Sequence, residues 1–368
     1  MHRALVLPFS ASLAVVASTG AVASAAPVSS VGYAFTAAAF NSSPLDAPGT
    51  FGGPGPRNRT VVSNLLVYAA SVLGRLRVSI TAGTYDFPTV GQAIEQAAQP
   101  GANASLFSAV PLAEVRYAVG DHLRVAAGKL ASLLGQESPF TYQNLNIERG
   151  LAWAMEPTIS RGVRATYANK RFAAAFEADD GYYSGHDRAV EWLVGYRTSS
   201  NARLQFAGIL PGRGAAPNPT AAVANKAEYD LMYTREIGKL RLEPYLLLAN
   251  SPASARLGYA CDERARAVVL LGSYAFSRTL SLAVRYEDAE NDSSPSDTGR
   301  NADLIGYGPG SSARSFTITP TVRIRRDVLL RLEYSRVSVS SLARGLGFGL
   351  RGTGSAQSRF GIEFGVVR

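Results

Sequence analysis

The sequence contains almost no cysteine and very little histidine. Of its 368 residues, one is cysteine, Cys261, and three are histidine. A single cysteine excludes an intrachain disulfide. Cys261, His122 and His186 are too scattered to supply the clustered sulfur and nitrogen ligands of a zinc site. We therefore expect no metal site and no cofactor, and a fold that is stabilised by its size and closure.

Long apolar runs are scarce as well. Beyond the N-terminus no run approaches the roughly 18 residues that a membrane-spanning helix needs, and the strong helical periodicity of a two-domain soluble enzyme is missing. The one marked apolar run, Ala4–Val16, follows a single arginine and leads to Ala23-Ser24-Ala25. This arrangement is typical of a secretory signal peptide that is cleaved after Ala25. We expect residues 1–25 to be the signal peptide and residues 26–368 to form one exported domain.

Acidic residues are outnumbered by basic ones. The formal net charge is +9, and loss of Arg3 with the signal peptide lowers it by one to +8. A basic balance of this kind suits nucleic acid, anionic lipid or an anion-attracting pore. Export from the cytoplasm argues against nucleic acid. The expected partners are outer-membrane lipid and lipopolysaccharide, together with small hydrophilic solutes or ions.

From Val28 onward, segments of about ten residues with period-two alternation are separated by connections of two lengths. Short turns are expected at Ala70–Leu73, Gly120–Asp121, Ala168–Lys170, Ser199–Asn201, Glu236–Gly238, Ala275–Arg278 and Arg325–Asp327. Long polar connections are expected near 41–59, 84–110, 131–157, 180–189, 211–226, 250–263, 289–312 and 340–357. Short and long connections alternate along the whole chain. Soluble sandwiches have no reason to sort their turns in this way, whereas outer-membrane barrels do.

These segments add up to about sixteen strands, an even number that places both termini on the periplasmic side. We predict an all-β fold, a transmembrane antiparallel β-barrel with short periplasmic turns and long extracellular loops. A barrel of this size leaves an aqueous passage along its axis.

Each strand presents one apolar and one polar face. Leu246 and Leu248, for example, share the face opposite Arg241 and Glu243. Aromatic residues lie mostly near the ends of the apolar faces, namely Tyr117, Tyr167, Trp192, Tyr196, Tyr229, Tyr233, Tyr274 and Tyr286. Such rings are typical of the interfacial girdles of membrane barrels, although the ordinary strand propensity of Tyr and Trp would also place them there.

The polar faces assign charged residues to the lumen. The predicted pore-lining arginines are Arg77, Arg116, Arg124, Arg164, Arg203, Arg241, Arg285, Arg323, Arg331 and Arg359. The predicted pore-lining acids are Glu114, Glu177, Glu191, Glu228, Asp230, Glu243, Glu287, Glu333 and Glu363. A nearly balanced wall sustains a transverse field without strong ion selectivity, and the net positive charge permits a mild anion preference.

The same charges have a purely structural interpretation. Neighbouring pairs, such as Arg241 with Glu243, Arg285 with Glu287 and Arg331 with Glu333, could form cross-strand salt-bridge ladders that stiffen the wall. One residue can serve both purposes, so stiffening and permeation stay open as alternatives.

The connection at 131–157 is the candidate constriction. Its charged and aromatic candidates are Glu137, Tyr142, Glu148, Arg149 and Glu156. It also carries apolar side chains that need burial, namely Leu133, Phe140, Leu145, Ile147 and Trp153. We expect this connection to fold into the channel as an eyelet. The alternative is a solvent-exposed extracellular loop.

The same region carries a family resemblance. The spaced elements are Gly128-Lys129-Leu130, Leu134-Gly135-Gln136-Glu137, Tyr142-Gln143-Asn144, Glu148-Arg149-Gly150-Leu151, Glu156-Pro157 and Ser160-Arg161-Gly162-Val163-Arg164. In this order they resemble the bacterial family named Putative beta-barrel porin-2, OmpL-like, best over Leu112–Leu210. The resemblance implies an outer-membrane channel for small solutes and brings no catalytic residues. One departure is the C-terminus, because many such barrels end on an aromatic residue and this chain ends on Arg368.

Candidates for other chemistry are sparse. His186 follows Asp179 and Asp180 in a long connection, and a histidine beside acids at an extracellular rim would suit a barrel enzyme, but no second spaced partner supports it. Asp288, Asp292 and Asp297 could bind calcium or bridge lipopolysaccharide, although a polar loop is the simpler interpretation.

The sequence thus predicts a porin, not an enzyme, for passive diffusion of small hydrophilic solutes or ions. The alternatives are an outer-membrane enzyme with a rim site and a plugged structural or adhesive barrel. The oligomeric state is open, with a homo-trimer among the options.

Overall fold

The alternating segments form β-strands in the computed structural model, which describes residues 28–47, 57–94, 107–185, 189–199, 201–212, 226–297, 299 and 301–368. The strands are β1 (Val28–Ser43), β2 (Asn58–Leu73), β3 (Leu76–Tyr85), β4 (Leu112–Ala118), β5 (Leu123–Ala131), β6 (Ile159–Ala168), β7 (Phe172–Asp179), β8 (Ala189–Ser199), β9 (Ala202–Leu210), β10 (Ala227–Ile237), β11 (Leu240–Leu242), β12 (Tyr245–Ser251), β13 (Glu263–Ala275), β14 (Leu280–Asn291), β15 (Ser312–Arg323), β16 (Val328–Ser340) and β17 (Ala356–Val367). Short 3-10 helices span Thr141–Gln143, Ala152–Ala154 and Ala255–Leu257. The predicted signal peptide, residues 1–25, lies outside the described residues.

Every strand pairs antiparallel with its neighbours along the chain, and β1 pairs with both β2 and β17, which closes the sheet. The segments β11 and β12 are two parts of one strand, because both pair with β10 and β13. Pro244 separates them, since proline has no N–H to give to the ladder. The described residues therefore form a closed barrel of 16 strands, and the predicted fold class is confirmed.

Some strands run further than the sequence indicated. The predicted turn at Ala70–Leu73 is wrong, because β2 continues through Leu73 and the turn is formed by Gly74 and Arg75. Gly74 adopts φ 60°, a left-handed conformation that glycine accepts without steric cost. Gly238 has the same φ of 60° in the turn between β10 and β11.

The outer surface of the barrel is apolar. Leu246 and Leu248 on β12 point outward with 46% and 57% of their surface exposed, whereas Tyr245 and Leu247, which alternate with them, are buried inside. The same alternation exposes Phe360, Ile362 and Phe364 on β17. Apolar exposure on this scale is what a lipid-facing surface requires. Among the described residues no helix is long and apolar enough to cross a bilayer.

The hydrophobic core lies inside the barrel, between the wall and the long connections. The largest cluster joins Leu247, Val269 and Leu271 of the wall to side chains from six connections. Those side chains include Ala47, Val90, Leu133, Leu134, Leu151, Ala152, Met155, Tyr182, Leu304, Ile305, Tyr307 and Phe348. Connections that turn inward are therefore structural parts of the barrel.

A charge on the lipid-facing surface tests this orientation. Leu270 lies near the middle of β13 and is 54% exposed. We expect Leu270→Arg to lower the free energy of unfolding in lipid vesicles by about 2–4 kcal/mol, because the guanidinium would enter the hydrocarbon layer. Leu350→Arg is the control, since Leu350 is 82% exposed in the connection between β16 and β17. Equal effects of the two substitutions in denaturant titrations would contradict a lipid-facing position for Leu270.

Candidate functional site

The connection between β5 and β6, residues 132–158, folds into the barrel, and we refer to it as the inserted loop. Glu137, Glu148 and Glu156 are buried, and so is Arg149, whose side chain is fully enclosed. Phe140, Ile147 and Trp153 are buried as well. The apolar side chains that need burial therefore find it inside the barrel, and the loop does not lie on the outer surface.

Carboxylates of the wall hold the backbone of the inserted loop. Glu333 accepts the N–H groups of Ile147 (2.6 Å) and Glu148 (2.8 Å). Glu287 accepts those of Leu151 (2.9 Å) and Ala152 (3.1 Å). Irregular backbone that is buried has no ladder partners, so its N–H groups need other acceptors. Hydrogen bonds to an ionised acceptor are among the strongest available.

Two further wall carboxylates act in the same way near the start of the loop. Glu191 accepts the N–H of Leu133 at 3.0 Å, and Asp230 accepts that of Gly135 at 2.7 Å. The close approach of the loop to Glu287 also explains why position 150, within the family motif, is a glycine. A Cβ at Gly150 would lie 2.0 Å from a carboxylate oxygen of Glu287, so a larger residue there would push the loop off its acceptor.

Arginines of the wall also hold the loop, by donating hydrogen bonds to its carboxylates and backbone carbonyls. Arg285 donates to the Glu137 carboxylate at 2.5 Å and to the backbone carbonyl of Glu148 at 2.7 Å. Arg359 pairs with the carboxylates of Glu148 and Asp46. Arg331 donates to three loop carbonyls, those of Thr141, Asn144 and Asn146. Buried ion pairs are stabilised when their remaining polar groups make further hydrogen bonds. Arg331 and Arg359 make such bonds, whereas the Nε atom of Arg285 and the Oδ2 atom of Asp46 are buried without a hydrogen-bond partner among the described residues.

The ion pairs along the wall differ in part from the prediction. Arg241 pairs with Glu243 at 2.5 Å, and Arg285 lies 3.2 Å from Glu287. The predicted pairing of Arg331 with Glu333 is wrong, because β16 and β17 place Arg331 opposite Glu363 and the two form the ion pair. Glu333 instead accepts the hydroxyl of Thr319 and the two loop N–H groups.

The constriction candidates inside the loop have distinct environments. Arg149 donates to the carbonyls of Ser138 and Pro139, and burial lowers the pKa of its guanidinium to about 10. Tyr142 stacks on Phe140 with ring centroids 6.0 Å apart, and burial raises the pKa of its hydroxyl to about 12. Arg149 thus braces the loop from within.

The two remaining carboxyls of the loop are perturbed by burial. Burial raises the pKa of Glu137 although Arg285 opposes the shift. Burial, together with the negative charges of Asp230 and Glu228, raises the pKa of Glu156 well above its usual value. Glu156 accepts the hydroxyl of Tyr245 at 2.9 Å. A cavity of about 70 Å³ lies at the start of the loop, between Gln136, Arg164 and Gln205.

The predicted lumen residues all point inward but differ in accessibility. The buried ones are Glu177, Glu191, Glu228, Asp230, Glu243, Arg285, Glu287, Arg331, Glu333, Arg359 and Glu363. Partial accessibility is found for Glu114, Arg116, Arg124, Arg164, Arg203 and Arg241, and Arg323 is exposed at the end of β15. The accessible arginines lie mostly near the periplasmic ends of their strands, whereas Glu177, Glu191, Glu228 and Asp230 lie near the extracellular ends.

Like charges face each other at the periplasmic end. Arg77 lies directly opposite Arg116, and Arg197 lies opposite Arg203. Arg116 has 40% of its side chain exposed and pairs with Glu114 at 2.7 Å. Arg197 was missed by the sequence analysis, although it lies on the same face of β8 as Glu191, six positions earlier. Cross-strand pairs of like charge are unfavourable in themselves, and contact with water weakens their repulsion.

The residues considered for other chemistry are dispersed. The Nδ1 atom of His122 lies 3.0 Å from the carbonyl of Ala168, and His186 lies outside the described residues. Asp288 pairs with Arg314 at 2.9 Å. Acidic side chains do converge at two places, one formed by Cys261, Glu263 and Asp297 and one by Glu177, Asp179 and Glu191. Sequence analysis missed the second place, although Glu177 and Asp179 share one face of β7.

Comparison with known proteins agrees with this architecture. The family model described as Putative beta-barrel porin-2, OmpL-like, matches residues 30–367. This chain belongs to that family. None of the curated proteins matches it significantly. Family and fold together place this porin in the bacterial outer membrane.

Solved outer-membrane proteins share the fold of this porin at low sequence identity. The outer membrane channel DcaP of Acinetobacter baumannii is 12% identical, with a TM-score of 0.61 over 95% of this chain and 99% of that one. An anion-selective porin from Comamonas acidovorans is 13% identical, with a TM-score of 0.59 over 93% and 100%. OmpT of Vibrio cholerae in its trimer form is 11% identical, with a TM-score of 0.56 over 94% and 100%.

Removal of Arg285 tests whether the wall arginines hold the inserted loop in place. Arg285→Leu leaves Glu137 and Glu287 buried without their cationic partner. We expect the free energy of unfolding to fall by about 3–5 kcal/mol, measured by denaturant titration in vesicles. The control is Arg266→Leu, because the pair of Arg266 with Glu290 is exposed and such pairs contribute little. An Arg285→Leu protein as stable as this control would refute the anchoring role.

Proposed function

We propose that this outer-membrane porin is a water-filled channel for passive diffusion of small hydrophilic solutes or ions, with a mild preference for anions. The observation that carries the proposal is the separation of charge along the lumen. The inserted loop pairs with the acids and arginines in the middle of the wall. The periplasmic end retains accessible arginines such as Arg116, Arg124 and Arg241. A solute that passes the loop therefore meets a basic surface.

The inserted loop is proposed to be the constriction. Its contacts to Glu287, Arg285 and Glu333 fix it against the wall formed by β14 to β16. A passage must then run along the rest of the wall. Gln136, Arg164 and Gln205, which border the cavity at the start of the loop, are the polar groups that a solute would meet there.

Two other functions compete with a channel. An outer-membrane enzyme would need a nucleophile or metal beside a general base, and His122 instead meets only a backbone carbonyl among the contacts of its ring nitrogens that the structure describes. A plugged structural or adhesive barrel would use the same inserted loop as a permanent seal. Planar-bilayer recording separates the channel from both alternatives, because only a channel conducts.

Lipid, lipopolysaccharide and further copies of the chain are the proposed partners at the outer surface. The apolar exterior suits lipid. A homo-trimer is supported by the likeness to the trimer form of Vibrio cholerae OmpT, which shows the shared fold. Trimeric insertion would appear in the same bilayer recordings as three equal closing steps.

Reversal potentials in a salt gradient test the anion preference. We expect the refolded mature protein to conduct with a potential on the anion-selective side, and Arg116→Gln with Arg124→Gln to move it toward the cation-selective side. Arg266→Gln removes one positive charge from the outer surface, where Arg266 pairs with Glu290, and should leave the potential unchanged; it is compared with each lumen substitution made singly. A clear cation preference of the unmodified protein would end the anion hypothesis.

Deletion of Gln136–Glu148 tests the constriction. We expect a larger single-channel conductance, because the deletion removes the segment that crosses the lumen. The matched control removes Ala255–Gly258, an exposed part of the connection between β12 and β13, and should keep the original conductance. Only molecules that migrate as folded barrels in cold detergent gels enter the comparison. Unchanged conductance after the first deletion argues against a constricting role.

A further inference from the structure

Three carboxylates converge on the inner wall near the extracellular ends of β7 and β8. Glu177 and Glu191 are directly opposite each other in the β7–β8 pairing, and Asp179 follows two residues later on the same face. Their ligating oxygens all lie within 4.8 Å of one another, and all three residues are at most 1% exposed. Like charges placed opposite each other repel, and burial strengthens that repulsion because water no longer screens it.

The surrounding protein compensates this charge only in part. Arg164 donates to one oxygen of Glu177 at 2.5 Å. Glu191 accepts the hydroxyls of Ser132 (3.1 Å) and Ser160 (3.4 Å) and the N–H of Leu133 (3.0 Å). Asp179 accepts the N–H of Gly181 at 2.6 Å through its Oδ1 atom.

Two oxygens of the cluster have no such partner. The Oε1 atom of Glu177 and the Oδ2 atom of Asp179 are buried without a hydrogen bond from any described residue. The neighbouring Asp180 does not change this balance, because its carboxylate is paired with Arg161 at 2.7 Å. Buried carboxylate oxygens without a donor are costly, and both of these belong to the convergent set.

We propose that Glu177, Asp179 and Glu191 bind a divalent cation of the size of calcium. Three carboxylates and the one guanidinium of Arg164 leave two negative charges, which a divalent ion balances. Calcium binds carboxylate oxygens at about 2.4 Å, so two of its ligands lie at most about 4.8 Å apart, the separation within which these oxygens fall. All the protein ligands are hard oxygens, which select calcium or magnesium over zinc or copper.

The position of the site connects it to the inserted loop. Glu191 holds the start of that loop through Ser132 and Leu133, so an ion on Glu191 ties β7, β8 and the loop together. Ser132 and Arg164 also border the cavity of about 70 Å³.

Calcium binding to the refolded, full-length mature barrel tests the proposal. After treatment with a chelator, calorimetric titration with calcium chloride should show one saturable site with a Kd below about 1 mM. Asp179→Asn and Glu177→Gln keep the shape of the side chains and should weaken this binding at least about tenfold. Glu228→Gln is the matched control, since Glu228 is a fully buried acid on the same inner wall outside the cluster.

The outcomes separate the proposal from its competitors. A titration without a saturable site overturns it, and is the result expected if the carboxyls share protons instead. Equal weakening by Glu228→Gln overturns it too, because the binding would then depend on overall charge. Should the variants fail to fold, the unmodified barrel decides: its thermal midpoint must rise when calcium replaces the chelator, and a constant midpoint refutes the site. Loss of conductance would leave this result untouched, so the two proposals fail independently.

Discussion

The need to satisfy buried backbone governs the interior of this porin. The inserted loop has little regular structure, and inside the barrel its N–H and carbonyl groups lose contact with bulk water. The wall supplies charged side chains of both signs as hydrogen-bond partners. Glu333, Glu287, Glu191 and Asp230 accept loop N–H groups, and Arg331 donates to loop carbonyls. The charged inner wall is therefore first a set of docking points for one segment of its own chain.

The two interpretations of the wall charges apply to different positions along the lumen in our proposal. In the middle of the barrel, arginines and acids of the wall form ion pairs and hydrogen bonds with the loop, as Arg285 does with Glu137. At the periplasmic end, Arg116 and Arg124 keep part of their surface accessible. Fully buried pairs contribute a static field, whereas accessible arginines can contact a passing anion. We propose that stiffening and permeation belong to different levels of the same lumen.

Sequence analysis reached the barrel because strand parity and turn length are local properties. The count of 16 strands followed from alternation, even though Pro244 interrupts the strand made of β11 and β12. It also anticipated an inward loop from apolar residues such as Phe140 and Ile147. The contact partners of the loop residues could not be predicted from sequence, because pairs such as Glu137 and Arg285 are 148 positions apart. Register decides such contacts, and this is why Arg331 was assigned to Glu333 and not to Glu363.

The same contacts decide whether the inserted loop can act as a gate. An outward swing would separate Glu137 from Arg285 and Glu148 from Arg359. Breaking one buried pair costs about 3–5 kcal/mol, and every 1.4 kcal/mol is about a factor of ten in population. One pair alone thus keeps the outward state below about one molecule in a hundred, and the amide contacts to Glu333 and Glu287 lower it further. We therefore expect the inserted loop to stay fixed against the wall and not to act as a gate.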